Sequence, residues 1–382
     1  MLKNLQPPYE VVAYYFPQYH PDARNDAWHG HGWTEWDILQ AARPRYPGHR
    51  QPIEPAWGYF NEADPQWAAR EIDLAADHGI TTFLYDWYWY DDQPFLHDAL
   101  ERGFLAAPNT SRLKFALMWA NHTWLDLYTT PFNEPPAVLT SGRVSRESFE
   151  RMTDYIIEHY FSRPNYLTID GAPYFSLFEL AAFVDGLGGL AGAERALQRF
   201  REKTRTAGFP DLHLNTMVQH RNNLPGEALL ADPIQTPVQL GFSSVTSYNW
   251  HQVYTPTREE FPAVDYATVA AHNYAAWDEL SERFPIPYYP GVTMGWDSSP
   301  RTDQQVEYAQ GNYPWTSIYE GNTPGAFKEA LLQMKAFLDR SQVKERLFTI
   351  NAWNEWTEGS YLLPDTVHGT AYLEAIKEVF GA

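Results

Sequence analysis

The feature that most limits how this chain can fold is a series of eight apolar, β-rich stretches spaced along its 382 residues. Helical patterns separate most of them, and strands that alternate with helices form parallel sheets. Eight such strands predict an α/β fold, a single (β/α)8 TIM barrel with long loops after the strands. No linker-like or repeated stretch divides the pattern, so we predict one domain over residues 1–382. The predicted strands are Val11–Pro17, Thr81–Trp89, Lys114–Asn121, Pro173–Glu179, Leu212–Gln219, Val245–Trp250, Tyr288–Trp296 and Leu347–Trp356.

The clearest predicted helix covers Asp64–His78. Asp64 is the expected N-cap, Pro65 suits the first helical position, and Gly79 is the expected stop after the last turn. The segment Arg221–Gly241 is the weakest part of the pattern, because it is short and contains three prolines. Further helices are predicted over Pro94–Ala106, Arg146–Phe161, Ala193–Ala207, Tyr266–Phe284, Pro324–Arg340 and Ala371–Phe380.

Two long insertions follow strands rather than helices. Residues Gln18–Glu62 follow the first predicted strand, and His122–Ser145 follow the third. Loops after the strands of a parallel barrel lie at its carboxyl face, where barrel proteins place their functional sites. We therefore expect both insertions to shape a site at this face.

Composition excludes several classes of function. With 28 basic and 48 acidic residues the net charge is −20, which repels nucleic acid and anionic lipid. The chain has no cysteine, hence no disulfide, thiol nucleophile or thiolate metal site. Its 15 tryptophans and 25 tyrosines exceed what packing normally needs, and their flat faces with polar edges suit sugars.

The amino-terminal segment Met1–Pro8 lacks the apolar core of a signal peptide, and no stretch approaches the roughly 20 apolar residues of a membrane span. The sequence as it stands therefore predicts a cytoplasmic, unexported protein without membrane insertion.

The last predicted strand runs directly into two acids, Glu355 and Glu358. On a continuing strand these two side chains would point to opposite faces, so they converge only if the chain turns at Trp356-Thr357, just before Gly359. Two acids at such a turn are the layout of a glycosidase site. The alternative is that one acid forms a salt bridge and the other is solvated. Strand alternation places Phe348, Ile350 and Ala352 on one face, and Thr349, Asn351, Trp353 and Glu355 on the other.

Other strand ends and the first insertion carry hydrogen-bonding groups beside aromatic rings. Trp28, Trp33 and Trp36 lie in a loop, where a sugar platform is favoured over core packing. Asp86 could hold a sugar hydroxyl, tune a neighbouring carboxylate or satisfy a buried tyrosine. The candidate substrate-binding residues are Tyr15, Gln18, His20, Trp33, Glu35, Trp36, Asp86, Trp87, Trp119, Asn121, His122, Tyr248, Trp296, Asp297, Arg301, Trp353, Asn354 and Trp356.

Other chemistries find little support in the sequence. His29 and His31 lack the partners of a metal site, and sugar or ordinary loop contacts are favoured for them. There is no Gly-x-Ser-x-Gly elbow, Walker loop or dinucleotide fingerprint. We therefore predict no metal and no cofactor.

Five segments together resemble the WbsX-like family, described as glycosyltransferases of surface-polysaccharide gene clusters, and more distantly the endo-α-mannosidases and mannanases of glycoside hydrolase family 99. The segments are Tyr14–His20, Gly32–Trp36, Trp119–Asn121, Gly291–Arg301 and Asn351–Gly359, and the resemblance spans nearly the whole chain. It implies a (β/α)8 barrel that acts on an oligo- or polysaccharide.

The mannosidase resemblance further implies roles for the two acids. Glu355 would deprotonate the 2-hydroxyl of the sugar, which attacks C1 to give a 1,2-anhydro sugar with eventual retention of configuration. Glu358 would act as general acid and then as base for water. This route requires a 2-hydroxyl trans to the leaving group, which predicts an α-manno- or α-L-rhamno-configured glycan.

Two positions depart from the family pattern, Leu363 and His122, where relatives often carry Glu. Two other functions stay open: a sugar-nucleotide glycosyltransferase, as the family description suggests, and a non-catalytic glycan-binding barrel. The acidic balance and the missing phosphate cradle argue against the transferase.

Overall fold

The structure is a computed structural model that describes residues 9–90, 93–128, 132, 134–218, 230–341 and 344–381. Met1–Pro8, on which the expectation about export rests, lie outside the described residues, as does Gln219 at the end of the fifth predicted strand. The part of the weak segment that precedes Leu230 also lies outside them.

Eight parallel strands form a barrel, which confirms the predicted fold class. The strands are β1 (Glu10–Tyr15), β2 (Thr82–Tyr90), β3 (Lys114–Trp119), β4 (Ala172–Leu177), β5 (His213–Met217), β6 (Ser244–Thr246), β7 in two pieces (Tyr288–Tyr289 and Gly291–Thr293) and β8 (Leu347–Asn351). Each strand pairs with the next, and β1 pairs with β8. The first piece of β7 pairs with β6 and the second with β8, so the sheet path begins and ends on the same strand.

Both faces of the barrel strands are buried, as expected where helices cover a parallel sheet. All nine residues of β2 and all five of β8 are buried. A contiguous cluster of buried apolar side chains extends from Tyr9 to Phe380. Strand β8, which carries the two acids beyond its end, is therefore held on all sides.

The helices follow the predicted pattern closely. Asp64 caps the first barrel helix by accepting the backbone N–H of Gln66, Pro65 opens it, and Gly79 after it has φ +89°. The barrel helices are Pro65–Asp77, Ala99–Phe104, Arg146–Ile156 with its continuation Ile157–Phe161, Leu180–Gly186, Leu190–Thr206, Gln235–Gln239, Tyr266–Arg283, Pro324–Arg340 and Ala371–Phe380. Two short helices, Ala23–His29 and Glu35–Ala41, lie in the first insertion.

Several predicted elements end differently in the structure, among them the strands Tyr288–Trp296 and Leu347–Trp356, which end at Thr293 and Asn351. Two further cases show the physical reason. The predicted helix Pro94–Ala106 begins only at Ala99, because Gln93–Phe95 double back as an antiparallel strand on the end of β2. The predicted strand Val245–Trp250 ends at Thr246, since the Asn249 side chain caps a turn of 3-10 helix that starts at Trp250. Both differences lie at the carboxyl face, where loop geometry rather than alternation decides the conformation.

The insertion after β3 forms a hairpin in which Trp124–Asp126 pair with Ala137–Thr140. It stands beside the first insertion at the carboxyl end of the barrel. Over the described ranges, every helix is too short or too polar to cross a lipid bilayer.

Candidate active site

A pocket of about 860 Å³, solvent at its mouth included, opens among the loops at the carboxyl face. Its lining comes from the loops after β1, β3, β4, β6, β7 and β8 and from the ends of β2 and β3. The lining residues are Phe16, Gln18, Glu35, Asp86, Tyr88, Met118, Ala120, His122, Thr123, Trp124, Leu125, Leu127, Tyr128, Phe178, Tyr248, Asn249, His251, Gln252, Trp296, Arg301, Tyr313, Glu355 and Glu358.

A tight turn brings Glu355 and Glu358 into this pocket together. Beyond β8, Asn354–Glu355 form a short strand that pairs with Ser360–Tyr361, and Trp356–Glu358 form a turn of 3-10 helix. Gly359 closes the turn with φ +62°, in the left-handed region that favours glycine. The predicted turn is confirmed. Neither acid is solvated, since Glu355 is 3% and Glu358 6% exposed.

The Arg301 guanidinium binds both acids through its two terminal nitrogens. Nη2 lies 3.0 Å from Glu355 Oε2, and Nη1 lies 2.6 Å from Glu358 Oε1. Its Nε donates to Glu35 Oε1 at 3.1 Å and to Thr357 Oγ1 at 2.9 Å. One cation therefore holds three buried carboxylates, and the planar fork of arginine suits this task.

The two acids hold protons more tightly than exposed glutamates do. Burial raises the pKa of Glu355 well above its ordinary value, and the neighbouring Glu358 raises it further, against the lowering effect of Arg301. Burial also raises the pKa of Glu358, although Arg301 and the Tyr313 hydroxyl, which donates to Oε1 at 2.8 Å, favour its charged form. Since the two acids interact closely, they titrate as a pair that retains a proton above the usual range.

A third acid, Asp86, faces the same pocket from β2. The Tyr248 hydroxyl donates to its Oδ2 at 3.0 Å and lies 3.5 Å from Oε1 of Glu355. Asp86 is 3% exposed, and its Oδ1 has no hydrogen-bond partner among the described residues. Burial raises the pKa of Asp86 well above its ordinary value, and Glu358 adds to the rise.

His122 contributes a neutral ring to the opposite wall. Burial lowers its pKa to about 4, so the imidazole is uncharged at neutral pH. Nδ1 lies 3.1 Å from the carbonyl oxygen of Thr123, which fixes Nδ1 as the protonated nitrogen and leaves Nε2 as an acceptor. The ring stacks on Trp124 of the hairpin at 5.6 Å between centroids.

Aromatic rings form much of the remaining wall. Trp296 stacks on His251 at 4.6 Å, and the Phe16 ring lies 5.3 Å below the guanidinium of Arg301. Trp33 lies outside the lining and packs 5.6 Å from Tyr128, whose hydroxyl donates to Glu35. Flat rings beside hydrogen-bonding groups suit the C–H faces and hydroxyls of sugars.

The structure brings part of the predicted set to the pocket: Gln18, Glu35, Asp86, His122, Tyr248, Trp296, Arg301, Glu355 and Glu358. It places others against the barrel helices. The Tyr15 hydroxyl and Trp353 Nε1 both donate to Glu71, Trp87 Nε1 donates to Tyr160, and Trp119 packs on Phe149 and Phe183.

The rest brace the loops around the site. His20 contacts Glu62, and Asp297 contacts His49. Trp36 Nε1 donates to the backbone of Phe60, Asn121 to the backbone of Glu179, and Asn354 to the backbone of Phe16. Trp356 stacks on Tyr361. Trp28 packs on Phe95. A direct role in binding stays a prediction for these residues.

Sequence reasoning missed several pocket residues, among them Tyr128, Tyr313 and Gln252. The two tyrosines donate to Glu35 and Glu358, yet both lie in irregular loops with no motif around them. Gln252 lies two residues after Trp250, in a turn of 3-10 helix whose position is fixed by the cap at Asn249. Across the described residues, no group of three or more histidines or acids is arranged to hold a metal ion.

A closed parallel barrel that gathers paired glutamates, one arginine and aromatic walls at its carboxyl face defines the class of (β/α)8 barrel proteins with a pocket at this face. Within this class, the chain belongs to the family described as Glycosyltransferase WbsX, whose sequence model matches residues 11–376. The family resemblance seen in the sequence is thereby confirmed.

Curated relatives include the Xanthomonas campestris pv. campestris protein named "Uncharacterized protein WxcX", matched in two strains. The identity is 26% over 382 residues, covering 97% of this chain and 49% of the relative. The chain therefore spans about half the length of the curated relatives it matches.

Solved structures with a similar fold include the following two. A protein titled "Glycoside hydrolase-like protein" superposes with a TM-score of 0.64 at 15% identity, covering 99% of this chain and 96% of that one. The GH99 endo-alpha-mannosidase from Bacteroides thetaiotaomicron gives a TM-score of 0.58 at 13% identity, with 97% and 95% coverage. At these identities the likeness establishes the barrel fold.

Proposed function

We propose that this chain is a glycoside hydrolase that retains anomeric configuration. The observation that carries the proposal is the pair of buried glutamates, Glu355 and Glu358, bound to the same guanidinium at the base of an aromatic-walled pocket. Paired carboxyl groups whose environment holds a proton near neutral pH are what acid–base cleavage of a glycosidic bond requires.

In the proposed reaction Glu355 removes the proton of the sugar 2-hydroxyl, and the resulting oxygen attacks C1 while the glycosidic bond breaks. Glu358 donates its proton to the leaving oxygen and then takes a proton from the water that opens the 1,2-anhydro sugar, while Glu355 returns its proton to the 2-oxygen. In the free site Glu358 receives hydrogen bonds from Arg301 and Tyr313, whereas Glu355 receives one firm bond from Arg301. These bonds favour the charged form of Glu358, so in the free site the proton that the two acids share resides on Glu355. Substrate binding must therefore shift this proton from Glu355 towards Glu358.

The substrate we propose is an oligo- or polysaccharide with α-manno or α-L-rhamno configuration, because backside attack needs a 2-hydroxyl trans to the leaving group. Neutral His122 and the aromatic wall favour an uncharged sugar ring. The acids around Arg301 leave little positive potential for an anionic one.

A proton NMR time course tests the reaction with a panel of α-mannosyl and α-rhamnosyl oligosaccharides. The expected result is a new reducing-end anomeric signal that first appears with the configuration of the substrate. First appearance of the opposite anomer would refute retention. Absence of cleavage across the panel would refute the proposed substrate class.

Glycosyl fluorides separate the roles of the two acids, because fluoride leaves without a proton. With an α-mannosyl or α-rhamnosyl fluoride, Glu358→Gln should release a first equivalent of fluoride rapidly and then turn over slowly. Glu355→Gln should show no such burst. If a fluoride electrode detected the burst with Glu355→Gln and not with Glu358→Gln, the roles of the two acids would be exchanged.

The family description favours a second candidate, a glycosyltransferase that uses a sugar nucleotide. Among the described residues that line the pocket, Arg301 is the sole arginine or lysine, and its nitrogens are engaged by carboxylates. A nucleoside diphosphate would lack a free cationic partner there. Release of nucleoside diphosphate from a nucleotide sugar with an acceptor glycan would favour the transferase.

A further inference from the structure

Tyr248 stands between two acids of the pocket and has one proton to donate. Its hydroxyl oxygen is 3.0 Å from Asp86 Oδ2 and 3.5 Å from Glu355 Oε1. Burial raises the pKa of Tyr248 well above its ordinary value, and Asp86 and Glu355 raise it further, so the side chain remains a phenol. The shorter contact shows that Asp86 holds this hydrogen bond.

We propose that Asp86 is a positioning residue: by accepting the Tyr248 hydroxyl it withholds this donor from Glu355 and so keeps Glu355 a strong enough base to deprotonate the substrate. The inference rests on the proposed hydrolase function and deepens it. Asp86 acts through Tyr248, and no direct contact between Asp86 and Glu355 is required.

The surroundings of the two acids support this role. Arg301 commits its nitrogens to Glu35, Glu355 and Glu358 and makes no hydrogen bond to Asp86 within the described residues. Oε1 of Glu355 therefore depends on Tyr248 for a donor, whereas Oε2 has Arg301. The tyrosine ring is held in place, since it packs on Tyr14 at 4.7 Å and on Phe178 at 5.3 Å.

The other ionisable groups that face this set are Tyr14, Tyr19, Tyr88, Tyr313 and His122. Burial keeps the four tyrosines in the phenol form and the histidine neutral. The charges near Glu355 are thus those of Glu35, Asp86, Glu358 and Arg301. Of these, Asp86 is the acid joined to Glu355 by one intervening hydroxyl.

Replacing Asp86 should turn the hydroxyl towards Glu355. In Asp86→Asn, and more strongly in Asp86→Leu, Tyr248 loses its better acceptor and donates to Glu355, which favours the ionised carboxylate. We expect the acid limb of kcat/KM, which reports ionisation of the base, to move to lower pH by about one unit. The weaker base should lower kcat several-fold.

A double-mutant cycle separates this relay from a simple charge effect. In the Tyr248→Phe background no hydroxyl remains to be redirected, so Asp86→Asn should shift the limb much less than it does alone. An equal shift in both backgrounds would overturn the proposal. The matched control is a second buried tyrosine–carboxylate pair, Tyr361 and Asp365, which are 2.6 Å apart outside the pocket lining. Asp365→Asn should leave the limb in place.

A measurement without substrate distinguishes failure of this inference from failure of the hydrolase assignment. With 13C-labelled glutamate, the side-chain carboxyl signal of Glu355 can be assigned by its loss in Glu355→Gln and titrated in each variant. A lower titration midpoint in Asp86→Asn supports the relay even if no glycan is cleaved. An unchanged midpoint refutes it even if the chain proves to be a hydrolase.

Discussion

The barrel buries two groups of acids that differ in their neighbours rather than in their depth. The pocket acids, Glu35, Asp86, Glu355 and Glu358, face the pocket. The sealed acids, Glu62 and Glu71, lie at 1% exposure in and before the helix Pro65–Asp77. Burial raises the pKa of both sealed acids, that of Glu71 to about 8. A displaced pKa therefore does not by itself distinguish a reactive acid from a structural one.

What differs is how the oxygen atoms are used. Both oxygens of Glu71 are taken, by the Tyr15 hydroxyl at 3.1 Å and by Trp353 Nε1 at 2.9 Å. Glu62 accepts from the Tyr19 backbone, His20 and Asn354. Three of the pocket acids, Glu35, Glu355 and Glu358, instead share one arginine. The pocket acids also repel one another, and Asp86 keeps an unpaired oxygen. Shared charge beside an open space, more than burial, indicates chemistry here.

The most direct test of this difference between the two groups is to neutralise single acids in each of them. Glu355→Gln and Glu358→Gln should each lower turnover by roughly 10²–10⁴-fold, the usual cost of losing an acid or base. Glu71→Gln is the control, because it removes a buried acid of raised pKa that touches no pocket residue. Its activity should stay within a few-fold of wild type.

Steady-state rates on the cleaved glycan, with circular dichroism to verify folding, check these variants. Near-wild-type turnover in both pocket variants would refute the catalytic roles of Glu355 and Glu358. A comparable loss in Glu71→Gln would erase the distinction between the two groups.

The next test removes the shared cation. Arg301→Met leaves three buried carboxylates without their counter-charge, which should lower the free energy of unfolding at pH 7 by about 3–5 kcal/mol. Urea denaturation measures the loss. It should shrink as the pH falls and the carboxylates become protonated. Equal losses at pH 7 and pH 4.5 would contradict an electrostatic role for Arg301.

Glu71 gives a smaller effect of defined sign. Its pKa rises from an ordinary value of 4.5 to about 8 on folding, so the folded state binds the proton more tightly than the unfolded chain. The stabilisation is complete below pH 4.5 and is lost as the pH rises towards 8, at no more than about 1.4 kcal/mol per pH unit.

Glu71→Gln removes this dependence. The variant should match wild type near pH 4.5 and exceed it near pH 8 by an amount on the order of 4 kcal/mol. Thermal unfolding across this range measures the difference. The exposed Glu158→Gln serves as the control and should follow wild type throughout. A gain that is constant with pH would refute the titration.

The smallest expected effect concerns His122. Because its pKa of about 4 leaves the ring neutral, His122→Gln should retain the pH limbs of kcat/KM between pH 5 and 8. The loss of one hydrogen-bonding position should cost less than about tenfold in kcat/KM. A limb that disappears in this variant would show that the histidine titrates in the working range.

Much of the barrel could be predicted from the sequence, because most of its eight strands lie in apolar, β-rich stretches and its helices carry clear signals such as Asp64, Pro65 and Gly79. The convergence of Glu355 and Glu358 was also predictable, since a turn before Gly359 was the one way to bring them together. The partner that both acids share was not, because Arg301 precedes Glu355 by more than fifty residues and no local pattern links the two.

The alternation of side chains along a strand gave a wrong prediction beyond the end of β8. Trp353 shares a predicted face with Glu355, yet its indole bonds to Glu71 behind the barrel wall. Strand β8 ends at Asn351, and the chain resumes as a short antiparallel pair at Asn354, so the two-residue period does not carry across the gap. Side-chain direction in such a junction depends on the packing of the whole barrel.

The turn at Gly359 sets a condition on how chains of this architecture can diverge. A methyl group at this glycine would sit 2.7 Å from the Asp297 Cβ and 2.9 Å from its backbone nitrogen, and that same nitrogen donates to the carbonyl oxygen of Glu358. The loop after β7 and the turn after β8 therefore pack together as one unit. Exchanging either loop alone for that of a related chain would displace Glu358. Exchanging both loops together would keep its position.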